Sequence, residues 1–182
     1  MKNIFSIVKL TIVTLVLFAV LYPLAIYAIA QAAPNKGKGE MVRLNEKTVG
    51  YRRIGQKFNQ ADYFWGRPSA VDYNAAGSAG SNKGPSNAEY LEVVQKRVDT
   101  FLIAHPYLKK ADIPSDLVTA SGSGLDPDIS VEGALVQIKR VALARKLSEV
   151  DLRLLVESVV NRPLLGPATV NVLELNLAVG KM

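Results

Sequence analysis

The stretch "ASGSGLDPDISVEGALVQIKRVALAR", Ala120–Arg145, decides how the chain is read. Its first half is a Gly/Ser loop that ends in two aspartates. Its second half has helical spacing: Ser130 is an expected N-cap, and Glu132 sits in the first turn, where the helix dipole favours negative charge. Val131, Leu135, Ile138 and Ala142 form the expected buried stripe, and Lys139, Arg140, Arg145 and Lys146 gather toward the C-terminal end. Two readings follow. The stretch is either a nucleotide-handling loop and helix, or a well-capped amphipathic helix with a basic solvent face behind an ordered loop.

Downstream, Ser148 restarts a helix over "EVDLRLLVESVV", with Asp151 at the third helical position and Asn161 and Pro163 ending it. In the tail "TVNVLELNLAV", Leu173, Leu175, Leu177 and Val179 alternate with Glu174 and Asn176, which predicts a half-buried β-strand. Upstream, Ser86 and Glu89 form an expected capping box for a helix over "NAEYLEVVQKRVDTFLIAH". Leu91, Val94, Val98, Phe101 and Leu102 line its apolar face. The loop from Tyr63 to Asn87 opens on three aromatics, Tyr63, Phe64 and Trp65, and continues rich in Gly, Ser and Asn. A loop this long is functional or disordered, and the aromatic head argues for order. Strands are expected around Met41–Ile54, so helices and strands together predict a small α+β domain of about three helices and a short sheet.

The start of the chain is of another kind. Leu10 to Asn35 is an uncharged run of roughly 26 residues, and about 20 apolar residues are enough to cross a membrane. Tyr22 and Tyr27 suit the interface, and Pro23 is expected to disturb the helix. The rival is a signal peptide cleaved near Ala28–Ala30, but signal cores run about 7 to 15 residues. The expected division is 1–9 as N-terminus, 10–33 as membrane helix, 34–40 as linker and 41–182 as the domain. Lysines and arginines flank both ends, so charge does not orient the helix.

Composition narrows the chemistry. The 182 residues are 49% apolar, with a net charge of +6. No long basic run marks a nucleic-acid footprint. The absence of cysteine excludes disulfides, zinc thiolates and cysteine nucleophiles. "GSAGSNKGPS" places its lysine before the glycine and is a poor phosphate loop, so a complete ABC-type ATPase is ruled out, although QIKRVALAR is similar to the helix after that family's signature loop. Asp126 and Asp128 are too few for a calcium loop, and an Asx turn is expected instead. His105, the one histidine, is expected to lack a partner, and Ser121 and Ser123 have no nearby base. No catalytic or metal site is expected.

In order along the chain, the "YP" anchor, YFWGRPSA (63–70), GSNKGPSN (80–87), PSDLVTASGSGLDPDIS (114–130), QIKRVALAR (137–145) and RPLLGPATVNVLELN (162–176) resemble the C-subunit family of the potassium-transporting Kdp ATPase. A proline often follows the serine of that family where this chain has Val131. The resemblance implies a single-pass subunit in the cell membrane, with its N-terminus cytoplasmic and its domain outside. Its implied partners are a channel-like potassium subunit, a P-type ATPase subunit and a small accessory peptide. The pump's DKTGT motif is absent here, so catalysis would lie on another chain.

The resemblance also carries two proposed roles. In one, the domain is a structural cap, docked through Trp65, Arg67, Pro68, Asn82, Ser86, Asn87, Ser123, Asp126 and Asp128. In the other it is a catalytic chaperone that raises the pump subunit's ATP affinity, contacting nucleotide through Gln137, with Arg140, Arg145, Ser121 and Ser123 as further candidates. No firmly bound cofactor is expected, and ATP enters only under the second role. That role conflicts with the implied topology, because ATP is cytoplasmic and the domain would not be.

Overall fold

The computed structural model describes residues 2–182. The chain divides into two compact units, the first ending at Met41 and the second spanning Val42–Met182.

The first unit is helical: α1 (Lys2–Val16), a π-helical turn (Leu17–Leu21) and α2 (Tyr22–Ala32). Pro23 has no N–H to give, and the helix answers with the π turn just ahead of it, where Tyr22 N–H reaches back to the Leu17 carbonyl. Thr14 satisfies its hydroxyl on the Leu10 carbonyl at 2.9 Å. The helix over Asn3–Ala32 holds an 18-residue stretch with a mean hydropathy of 2.6, and is long and apolar enough to cross a membrane.

The second unit has the expected α+β character. It opens with a hairpin of β1 (Met41–Leu44) and β2 (Lys47–Tyr51), turned by Asn45 and Glu46 at φ 49° and 65°. Positive φ at both central residues is what a tight hairpin turn requires. A long irregular segment leads to α3 (Ala88–Ala104). Then come β3 (Asp128–Ser130), α4 (Val131–Leu135), α5 (Ile138–Arg145), α6 (Glu149–Ser158), β4 (Val160–Asn161), β5 (Thr169–Asn171) and α7 (Val172–Val179). The three short strands form an antiparallel sheet in the order β3-β5-β4, with Val170 opposite both Ile129 and Val160. Phe64, Phe101, Ile129, Ile138, Val141, Leu152, Val156, Val170 and Leu175 build one core.

Four sequence expectations change here. The tail is not one strand: only Thr169–Asn171 is extended, and α7 follows. Asn171 caps that helix, its side chain accepting the Glu174 N–H at 3.1 Å. Val172, Leu175, Asn176 and Val179 are buried at helical spacing, a stripe that the alternating leucines concealed. The N-cap of α3 is Asn87 rather than Ser86; its side chain accepts from Tyr90 N–H at 2.9 Å. Glu89 then falls one position short of a capping box and pairs with Lys83 instead, which lowers its pKa. The helix expected after Ser130 breaks at Val136–Gln137, because Gln137 N–H bonds the Ala134 carbonyl while its side chain takes the Gly133 carbonyl at 2.9 Å. With the tail helix and this break, the domain holds five helices among the described residues rather than three.

Other expectations hold. Ser130 caps α4 by accepting from Gly133 N–H at 2.9 Å, and Asp116 braces it through Ser130 N–H at 2.7 Å. Ser148 caps α6. Asp126 makes its Asx turn, accepting from Asp128 N–H at 3.1 Å.

Candidate functional site: a clamped aromatic segment and two hollows

The site begins at Tyr63–Trp65, which lies in no helix or strand. Buried peptide groups need partners, and here two carboxamides supply them. Phe64 donates its N–H to Asn176 Oδ1 at 2.7 Å and accepts from Asn176 Nδ2 at 3.0 Å. Trp65 donates to Gln137 Oε1 at 2.8 Å and accepts from Gln137 Nε2 at 3.2 Å. Each amide thus bonds a backbone residue as a neighbouring strand would. Gln137 Oε1 takes a second donor, Arg140 Nη2 at 2.8 Å, so every polar valence of this buried side chain points inward.

Arg140 completes the clamp. Its Nη1 donates to the carbonyls of Ala61 at 2.5 Å and Tyr63 at 3.0 Å, and its guanidinium lies 4.3 Å from the Trp65 ring centroid. Burial lowers its pKa to about 10, which leaves it charged at neutral pH. Arg145 follows the same course, donating to the Asp62 carbonyl at 2.6 Å and lying over Tyr63. The helix therefore does not present a uniformly basic solvent face. Lys139 points outward, whereas Arg140 is buried and Arg145 largely covered by residues 60–63.

His105 is partnered, contrary to expectation. Its Nε2 accepts from Arg140 Nε at 2.8 Å, and its Nδ1 meets the Phe101 carbonyl at 2.8 Å. Arginine can only donate, so the proton must sit on Nδ1 and the ring is neutral. Burial, reinforced by the Arg140 charge and opposed by the Phe101 bond, lowers its pKa to about 4. The ring stacks on Phe101 at 3.9 Å.

Beyond Trp65 the chain turns against the Ser121–Asp128 loop. Arg67 Nη1 pairs with Asp126 Oδ2 at 2.9 Å, both side chains about a quarter exposed. Pro68 accepts the N–H of buried Ser121 at 3.2 Å. Ser69 Oγ donates to the Gly124 carbonyl at 2.7 Å and accepts from Tyr73 N–H at 2.9 Å. Tyr73 reaches the Arg67 carbonyl; burial, with the Asp126 charge, raises its pKa to about 12. Gly124 stands at φ 66°, and a Cβ there would lie 2.6 Å from Val71, so only glycine lets the two loops close. Ser123 accepts Leu125 N–H on its own Oγ, and its carbonyl receives Ser78. Asp128 is raised in pKa by burial, against a hydrogen bond from Asn171.

The docking candidates thus separate. Trp65, Arg67, Pro68, Ser123, Asp126 and Asp128 belong to one joined surface. Asn82 and Ser86 are exposed in the segment leading to α3, and Asn87 serves as that helix's cap. Arg67 lines two hollows. One, of about 490 Å³, has Phe58, Trp65, Pro68 and Phe101 on its walls. The other, of about 730 Å³, is lined by Asp116, Asp126, Asp128 and Glu132. Sequence reasoning set His105 aside as unpartnered and missed the roles of Asn176, Asp116 and Ser69. The one available signal was a polar residue, such as Asn176 between Leu175 and Leu177, inside an apolar run.

Fold and site define a class: one apolar N-terminal helix followed by a small α+β domain whose buried amides fix an aromatic segment. Sequence comparison identifies the family. Residues 4–181 match the family of the K+-transporting ATPase c chain, KdpC. The chain is 70% identical over 183 residues to the potassium-transporting ATPase KdpC subunit of Flavobacterium psychrophilum, with all of both chains covered. It is 67% identical to that of Flavobacterium johnsoniae over the whole of both chains. To that of Bacteroides fragilis it is 50% identical, covering all of this chain and 98% of the relative. The chain belongs to the KdpC family.

Proposed function

We propose that this chain is a non-catalytic accessory subunit of an ATP-driven potassium uptake complex. Its N-terminal helix crosses the cell membrane from a cytoplasmic N-terminus, and its domain lies outside. There the domain stabilises assembly with a channel-like potassium subunit, a P-type ATPase subunit and a small accessory peptide, and shapes the external face of the channel subunit. Trp65, Arg67, Pro68 and Asp126 lie at the centre of the contact.

The observation that carries this reading is the commitment of Gln137 and Arg140 to the chain's own backbone. The chaperone role asks the same side chains to meet nucleotide. Freeing Gln137 would orphan Trp65 N–H and its carbonyl, at about 1–3 kcal/mol for each buried group. The expense of that exchange favours the structural cap.

Two measurements test the reading. Protease added outside intact cells should cleave the exposed Gly77–Gly84 loop; cleavage only after lysis overturns the topology. An azido-ATP analogue applied to the purified complex should leave residues 121–145 of this chain unlabelled. ATP-protected labelling there would restore the chaperone role.

A further inference from the structure

The smaller hollow has an apolar floor and an unbalanced rim. Phe58, Trp65, Pro68, Phe101 and Leu117 supply the floor. Four cations stand around it, Lys57, Arg67, Lys96 and Arg97, against the single carboxylate of Asp72. Lys57 is neutralised by Asp72 at 2.6 Å, and Arg67 by Asp126 at 2.9 Å. Among the described residues Arg97 is held by the Val118 carbonyl at 3.2 Å and by no carboxylate, which positions the guanidinium without cancelling its charge. Lys96 is exposed and pairs with no carboxylate among the described residues. Two positive charges are therefore left over above a surface of aromatic and aliphatic carbon. The hollow on the other side of Arg67 has the opposite sign, with Asp112, Asp116, Asp126, Asp128 and Glu132 on its walls.

We propose that the groove beside Trp65 receives an acidic, apolar segment of a partner polypeptide. An apolar side chain of that segment lies on Trp65 and Phe58, and neighbouring carboxylates meet Lys96 and Arg97. Burying apolar area supplies the affinity, and the two cations select the sequence and its direction. The acidic hollow next door sets the limit of the acidic stretch, since carboxylates carried past Arg67 would meet Asp112, Asp116, Asp128 and Glu132 besides the paired Asp126. A phospholipid ties its charges to one headgroup, whereas a polypeptide can place carboxylates over one hollow and none over the next, so the paired hollows favour a polypeptide. The proposal rests on the docking reading above and names the chemistry that meets this face.

The test places the photocrosslinker benzoylphenylalanine at Val93, a groove residue 41% exposed, in the full chain co-expressed with its complex. After purification through a tag on another subunit and irradiation, mass spectrometry reads the attached mass and peptide. The expected product is a partner peptide with a carboxylate within two or three residues of the crosslink. Lys96→Glu should cut its yield by about fivefold or more, while Lys47→Glu on the hairpin leaves it unchanged. Arg97→Gln is a second variant, and Lys96→Glu is fold-neutral because that side chain is solvent-facing. A lipid-mass adduct, a crosslink to a neutral or basic peptide, or a yield indifferent to Lys96→Glu overturns the proposal. Loss of this chain from the unsubstituted purified complex would overturn the docking reading itself, whereas full recovery without a groove crosslink overturns only the groove.

Discussion

Two irregular segments of this domain have nearly the same ingredients and opposite fates. Tyr63–Pro68, YFWGRP, and Arg162–Pro167, RPLLGP, each place two bulky apolar residues before a glycine and close to proline. Phe64 is wholly buried, whereas Leu164 and Leu165 are 99% and 88% exposed. Hydrophobicity does not separate them. What differs is the backbone: Phe64 and Trp65 have their peptide groups met by Asn176 and Gln137, while no hydrogen bond reaches the backbone of residues 163–167 among the described residues. Carrying a loop into a core means desolvating its amides, and that cost decides the outcome unless another part of the chain supplies partners.

The comparison breaks most directly at the amides. Gln137→Leu together with Asn176→Leu keeps most of the volume and takes the partner from five backbone groups, the N–H and carbonyl of Phe64 and of Trp65 and the Gly133 carbonyl. The expected loss is about 4–6 kcal/mol, read from urea unfolding of the full chain in detergent. A loss below about 1 kcal/mol would show that the aromatics hold the segment without them.

Next in size is pH. His105 titrates at about 4 when folded against an ordinary 6.5. Between those values the unfolded chain binds a proton that the folded one refuses, so stability falls as pH drops from 6.5 toward 4. The contribution is about 3 kcal/mol, fully present above pH 6.5 and gone below pH 4. His105→Gln should flatten that slope in denaturant midpoints measured across the window.

Ser130→Ala should cost about 1–2 kcal/mol, since it uncaps α4 and strips Asp116 of a hydrogen bond. Thermal unfolding would register it. The smallest effect belongs to the other segment. Leu164→Ser with Leu165→Ser should shift stability by no more than about 0.5 kcal/mol, because neither side chain is buried.

Local grammar made part of this fold legible. Ser130, Ser148 and the Asp126 turn act within three residues of themselves, and the apolar helix and the hairpin strands show in composition and alternation. The clamp was not legible. Gln137 reaches a residue 72 positions away and Asn176 one 112 positions away, separations that leave no periodic trace. Arg140 looked like one more charge on a solvated helix, because nothing in QIKRVALAR shows that the face it occupies is covered by residues 60–65. The tail misled for a different reason. Its leucines satisfy two periods at once, and only the Asn171 cap chooses between them. The sequence offered loops as docking candidates, but the change of charge sign across Arg67 needed side chains from separate stretches to meet.

The span of the Asn176 bond also sets a timetable. A ribosome makes Phe64 long before Asn176, and at about 5–20 residues per second the intervening 112 positions take roughly ten seconds. Throughout that interval the nascent aromatic strip has no lid, and a chain that stalls before α7 never gains one. An unfinished copy is thus marked by an uncovered Phe64.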